Sequence, residues 1–97
     1  METDILTALS DHLILKFTYE GKPRTCEPHV YGVANGQNQL LCYQLSGRSQ
    51  RGGLPEWRRF DLAGIQNLRL TKQTFPGYRP VPQPHSLGWT AIISTVA

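Results

Sequence analysis

Cysteine is scarce in this chain: Cys26 and Cys42 are the only two among 97 residues. Two thiols do not build a disulfide framework, so the fold has to stand on its core, and a reducing, cytoplasmic setting is expected. Long apolar runs are missing as well. No stretch approaches the roughly 20 apolar residues that cross a bilayer. The start, Met1-Glu2-Thr3-Asp4, is acidic and lacks the apolar run of a secretory leader. No membrane partner is expected. The signatures of hydrolysis are also lacking. Ser46 and Ser49 lie in a glycine-rich loop, but no G-x-S-x-G surrounds them. No Gly-Lys-Ser/Thr follows the glycines, which excludes a Walker A phosphate loop. No pair of carboxylates stands at a spacing suited to acid/base work; Glu27 and Asp61 would have to be brought together by the fold. Cys26-x-x-His29 has metal-ligand spacing, but the second tight pair that zinc wants is absent. The expectation is a protein without catalysis, metal or cofactor.

What is present is positive charge, unevenly placed. Residues 1–45 hold three basic and five acidic side chains, whereas residues 46–79 hold seven basic and two acidic ones. No acidic residue follows Asp61. A basic second half calls for an anionic partner or forms a solvated surface.

The length allows one small domain with a thin core. Ile5, Leu6, Ala8 and Leu9 recur at helical spacing, which predicts a helix over 4–11 with Thr3 or Asp4 as its cap. From Leu13 the period becomes two, and Leu13, Leu15, Phe17 and Tyr19 predict a strand. Glu20-Gly21-Lys22-Pro23 is turn chemistry, and a second strand runs from about Arg24 to Ala34. Pro28 inside it marks an edge or a bulge, because the ladder loses a donor there. Asn35-Gly36 predicts a hairpin into a third strand, Gln39–Leu45. The fourth and fifth strands, Glu56–Leu62 and Ile65–Leu70, flank Ala63-Gly64. Together these predict a mainly β fold, a small barrel or sandwich of about five strands, with the helix covering one opening. Phe75 to Pro84 is proline-rich and extended. Trp89–Val96 is apolar and β-branched, fit for a sixth strand, a docking segment or a homodimer contact. The division expected is a β domain over 1–75 and an extended arm over 76–97.

The most informative segment is Trp57-Arg58-Arg59-Phe60-Asp61-Leu62, with the loop Ser46-Gly47-Arg48-Ser49-Gln50-Arg51-Gly52-Gly53 before it. A structural strand prefers valine or threonine to two arginines. Strand parity sets Arg58, Phe60 and Leu62 on one face and Trp57, Arg59 and Asp61 on the other. Phe60 and Leu62 should point inward, so Arg58 lies on the inner side near the mouth. It needs Glu27, Asp61 or a ligand anion as counter-charge. Arg59 beside Trp57 is suited to sandwiching a nucleobase or to stacking on its neighbour. The loop glycines can offer backbone N–H groups to a phosphate. The candidate ligand-binding residues are Arg58, Arg59, Trp57, Arg48 and Arg51, with His29 and Tyr43 lining the cleft. His29 also fits a hydrogen-bonded core histidine.

Taken in order, Ile5…Ala8-Leu9, Leu15-Lys16-Phe17-Thr18-Tyr19, Arg24…Glu27-Pro28, Leu40-Leu41-Cys42-Tyr43 and Arg58-Arg59-Phe60-Asp61-Leu62…Ile65 resemble the WYL domain over residues 4–75. Glu27-Pro28-His29-Val30-Tyr31-Gly32, Tyr43-Gln44-Leu45-Ser46-Gly47 and Phe75-Pro76-Gly77-Tyr78 look typical of short stand-alone bacterial proteins of that kind. The resemblance implies an Sm-like or SH3-like β-barrel with an N-terminal helix. It also implies a ligand-sensing role in transcription regulation, with a basic cleft for nucleic acid or a nucleotide-like effector. Arg58 falls on the first arginine of the family's Arg-x-Phe-x-Leu-x-Arg-Ile pattern, and Gly64 falls on the second. Gln39-Leu40-Leu41 stands near the place of the family's Trp-Tyr-Leu. Nothing before Ile5 forms a DNA-binding helix-turn-helix, so regulation would run through a separate DNA-binding partner or the protein would act as an isolated sensor. The alternative expectation is a protein-interaction module that assembles through barrel edge strands and the C-terminal arm, including as a homodimer.

Overall fold

A computed structural model describes residues 1–47 and 53–97 of the chain. Helix α1 (Glu2–Asp11) leads into strands β1 (Leu13–Tyr19), β2 (Lys22–Ala34), β3 (Gln37–Gly47), β4 (Glu56–Asp61), β5 (Ile65–Thr74) and β6 (Ala91–Thr95). A single 3-10 turn, Leu62–Gly64, joins β4 to β5. All pairings are antiparallel, and the sheet runs β4-β3-β2-β1-β5, with β6 added to β2. Among the described residues the ends of this order, β4 and β5, do not pair with each other, so the sheet is open. It is mainly β with one N-terminal helix, as the hydrophobic periods predict, and the sixth strand comes from the C-terminal arm.

Strand β2 changes partner along its length. Lys22–Cys26 pair with β1 and Val30–Val33 with β6, on the edge opposite β3. Pro28 stands between these two ladders, where its missing N–H costs no bond to either, and the β2–β3 register shifts between Pro28 and Val30. Asn35 and Gly36 both have positive φ, as a two-residue hairpin with the right twist requires.

The helix begins earlier than its cap residues suggest. Met1 is the N-cap, and no side chain caps the first turn, so Thr3 and Asp4 lie inside the helix. The Glu2 carboxylate instead accepts a bond from the buried Tyr31 hydroxyl at 2.6 Å, and that hydroxyl oxygen in turn accepts one from Asn38 at 3.0 Å. Ile5, Ala8 and Leu9 enter the core, whereas Leu6 turns away from it and remains exposed. The core joins them to Leu15, Phe17, Cys26, Leu40, Cys42, Phe60 and Ile65. Phe60 anchors it, with Phe17 and Tyr19 edge-on at 5.0 and 4.9 Å.

After β5 the chain turns back over the outer face of β2, β3 and β4. Residues 75–90 run without regular ladder bonds, and the end is tied to the start: Ala97 N–H donates to the Leu9 carbonyl, and His12 Nε2 lies 2.7 Å from the Ala97 oxygen.

Candidate functional site

Parity on β3 and β4 separates two groups of side chains. Cys42 pairs with Arg58 and Leu40 with Phe60, on the core side. Tyr43 pairs with Trp57 and Leu41 with Arg59, on the side the arm covers. The structure therefore brings His29, Tyr43 and Trp57 together and leaves Arg58 on the opposite face. Arg48 and Arg51 lie outside the described residues.

On the inner side, Arg58 finds a second guanidinium that sequence reasoning missed. Arg24 and Arg58 approach the Phe60 ring with their Cζ atoms 5.7 and 5.6 Å from its centroid. Arg24 is only 1% exposed. It donates to Gln44 Oε1 at 3.3 Å and to the Tyr19 carbonyl at 3.2 Å, and its Nε has no hydrogen-bond partner among the described residues. Its carboxylate neighbour, Glu20, is solvent-exposed and 3.7 Å away. Arg58 reaches Glu56 at 3.9 Å. Neither contact is a close, bidentate pair of the kind that offsets burial of a charge. Burial first, and then the charge of Arg58, lower the Arg24 pKa from its ordinary value, yet a guanidinium stays protonated at physiological pH. Positive charge is thus concentrated at this mouth. Arg24 pairs with Gly47, the last residue of β3. Gly47 has φ +106, and a Cβ there would run into the Pro23 carbonyl. Asp61 and Glu27, the other counter-charges expected for Arg58, are engaged elsewhere, Asp61 by Gln39 at 2.8 Å and Glu27 by Arg79. At Gly64, a Cβ would meet the Tyr19 ring at 2.8 Å, so a side chain at this position would have to displace the tyrosine that borders Arg24.

On the outer side the arm takes up the groups expected to face a ligand. Arg79 grips the buried Glu27 carboxylate through two bonds, 2.7 and 3.1 Å, and stacks 4.3 Å from the Tyr43 ring. The carboxylate raises the Arg79 pKa in return. Arg59 shares a face with Trp57 but stacks on Trp89, 4.0 Å from the ring, and donates to the carbonyls of His85 and Leu87. Desolvation there lowers its pKa. Trp57 packs on His29 at 4.9 Å and Tyr43 at 5.2 Å. His29 is buried, its pKa is pushed down to about 4 by desolvation against the opposing pull of Glu27, and neither ring nitrogen has a hydrogen-bond partner among the described residues. Arg79 and Trp89 carry this arrangement; the arm's proline-rich composition gave no sign of which face it would cover.

Cys26 faces the core and His29 the arm side, so the C-x-x-H spacing does not form a pair of ligands. Among the described residues no three of His, Cys, Asp and Glu gather as a metal site. Both thiols are buried, and burial together with the neighbouring Cys26 raises the Cys42 pKa well above the ordinary range. Among the described residues, no helix is long and apolar enough to cross a membrane. No family model matches the chain, and neither curated proteins nor solved structures give a match.

Proposed function

We propose that this protein is a small regulatory binding module of the WYL type that takes a nucleic acid or nucleotide-like anion at the Arg24–Arg58 mouth, without catalysis. The observation that carries the reading is Arg24: a buried guanidinium with an unused Nε donor, sharing one aromatic ring with a second guanidinium. A phosphate there would supply acceptors and counter-charge at once. Arg48 and Arg51, which the sequence offers as further phosphate contacts, lie outside the described residues. The WYL resemblance adds an Sm-like barrel to this reading. The strand order β4-β3-β2-β1-β5, with one short turn between β4 and β5, is compatible with such a barrel. A DNA-binding regulator would then be the separate partner.

Fluorescence anisotropy of a labelled single-stranded oligonucleotide, titrated with the full chain at two salt concentrations, tests this. Saturable binding that weakens with salt is expected. Arg58→Ala should weaken it by about tenfold, in line with loss of a charge-assisted phosphate contact worth ~1.5 kcal/mol. Equal affinity for wild type and Arg58→Ala, with the fold intact, would remove Arg58 from the site.

One observation favours the assembly reading beside it. Among the described residues, strand β6 is paired on one edge only, to β2, and Ile92 and Ile93 are about half exposed. Light scattering on the full chain and on Ile92→Lys/Ile93→Lys separates the two readings: a dimer that the double variant converts to monomer supports assembly, and a monomer in both counts against it.

A further inference from the structure

A cavity of about 160 Å³ lies between the arm and the sheet, away from the arginine mouth, bounded by His29, Val30, Tyr78, Arg79, Val81 and Val96. Its lining is mostly apolar. Thr95, Arg79 and His29 are its polar members; of these His29 is 1% exposed, and neither its Nδ1 nor its Nε2 has a hydrogen-bond partner among the described residues. Nε2 is 3.6 Å from Glu27 Oε1, too far for a good bond but close enough for the carboxylate to favour a proton on that nitrogen. Nδ1 is then left as a buried acceptor without a donor. Charge at the cavity wall is already balanced. The carboxylate of Glu27 is bound at two points by Arg79, so the pair leaves no net charge at the wall to draw in an ion of either sign.

We propose that this cavity is a binding site for a small neutral molecule, largely apolar, that carries one hydroxyl donor to His29 Nδ1: a molecule of the size and chemistry of a phenol. Size supports this class, since an apolar protein cavity of about 150 Å³ accommodates benzene. Polarity supports the hydroxyl, since a buried neutral imidazole acceptor without a partner gains from a single donor. The molecule would lie under the arm, with the exposed Tyr78 at the rim. The site is independent of the arginine mouth and of the anion that mouth would take.

Phenol and toluene, titrated into the full chain labelled with nitrogen-15 at histidine, are the probes. Phenol should bind saturably, shift the His29 ring nitrogens and perturb the methyls of Val81 and Val96. Toluene should bind at least tenfold more weakly, and His29→Phe should erase that difference. Val81→Trp, which fills the cavity from the arm and leaves His29 in place, should abolish phenol binding even if His29→Phe fails to fold. Equal binding of phenol and toluene with unmoved His29 resonances would overturn the proposal. So would phenol shifts that stay linear to the limit of solubility, the result of a cavity that holds water only.

Discussion

His29 is held neutral by its surroundings, and that has a consequence for stability. Its pKa falls from 6.5 to about 4 on folding. Between those values the unfolded chain binds a proton that the native protein refuses, so stability decreases as pH drops from 6.5 towards 4 and loses no more to this group below that. At ~1.4 kcal/mol per unit, this residue contributes on the order of 3 kcal/mol to the loss. Urea unfolding at neutral pH and near pH 4 should show that loss in the wild type, and His29→Phe should lack this part of it. Parallel pH dependence in the two proteins would show that His29 titrates normally in the fold. Gly32 is the other residue with a sharp role. A Cβ there would meet the Ala91 carbonyl and come within 2.9 Å of the Trp89 ring. Backbone of β6 lies on one side, so the strain cannot be relieved by a rotamer change. Gly32→Ala should cost about 2 kcal/mol or more in urea unfolding, as other overpacked sites do. A change below a few tenths would mean that β6 and Trp89 do not pack there in solution.

At the scale of elements, the arm is the part whose attachment is most specific. Its bonds to the sheet are polar and paired: Arg79 on Glu27, Arg59 on the carbonyls of His85 and Leu87, and β6 on β2. Arg79→Ala would leave the Glu27 carboxylate buried without its cation. The cost should be about 2 kcal/mol, below the 3–5 kcal/mol of a fully buried pair because Arg79 is partly solvated. Amide hydrogen exchange checks this: Thr90 and Val96, which donate to the Val33 and His29 carbonyls, should lose protection before the β1–β3 core does. Uniform loss across the sheet would make the arm an integral part of one cooperative unit.

How far each element was legible follows from how local its determinants are. The strand from Leu13 and the Asn35-Gly36 hairpin rest on period-two alternation and turn chemistry between near neighbours, and both stand at nearly the expected residues. The meaning of Pro28 was legible as a bulge but not as the point where β2 exchanges β1 for β6, because that depends on a strand more than 60 residues away. Arg58 was legible as an inward arginine from parity with Phe60. Arg24 was not, since a lone arginine after a turn looks like surface, and its burial is set by Tyr19, Gln44 and Phe60. Trp57 and Arg59 share a face as expected, but the arm supplies Trp89 as the partner of Arg59, a pairing across 30 residues that spacing does not reveal.

At the scale of the whole molecule, the two faces of one sheet divide the work. A structure measuring 28 × 28 × 24 Å keeps an arginine mouth on one side of β4 and an arm-covered aromatic cluster on the other. The central claim is that the unused Arg24 donor and its neighbour Arg58 receive a phosphate. The most direct measurement is the Nε–H resonance of Arg24 in protein labelled with nitrogen-15 at arginine, followed during titration with a single-stranded oligonucleotide at low salt. A saturable downfield shift and slowed exchange of the Arg24 and Arg58 Nε–H groups, both reversed by added salt, is the result predicted. Arg24 and Arg58 signals that stay fixed while the oligonucleotide binds elsewhere, or does not bind, would contradict it.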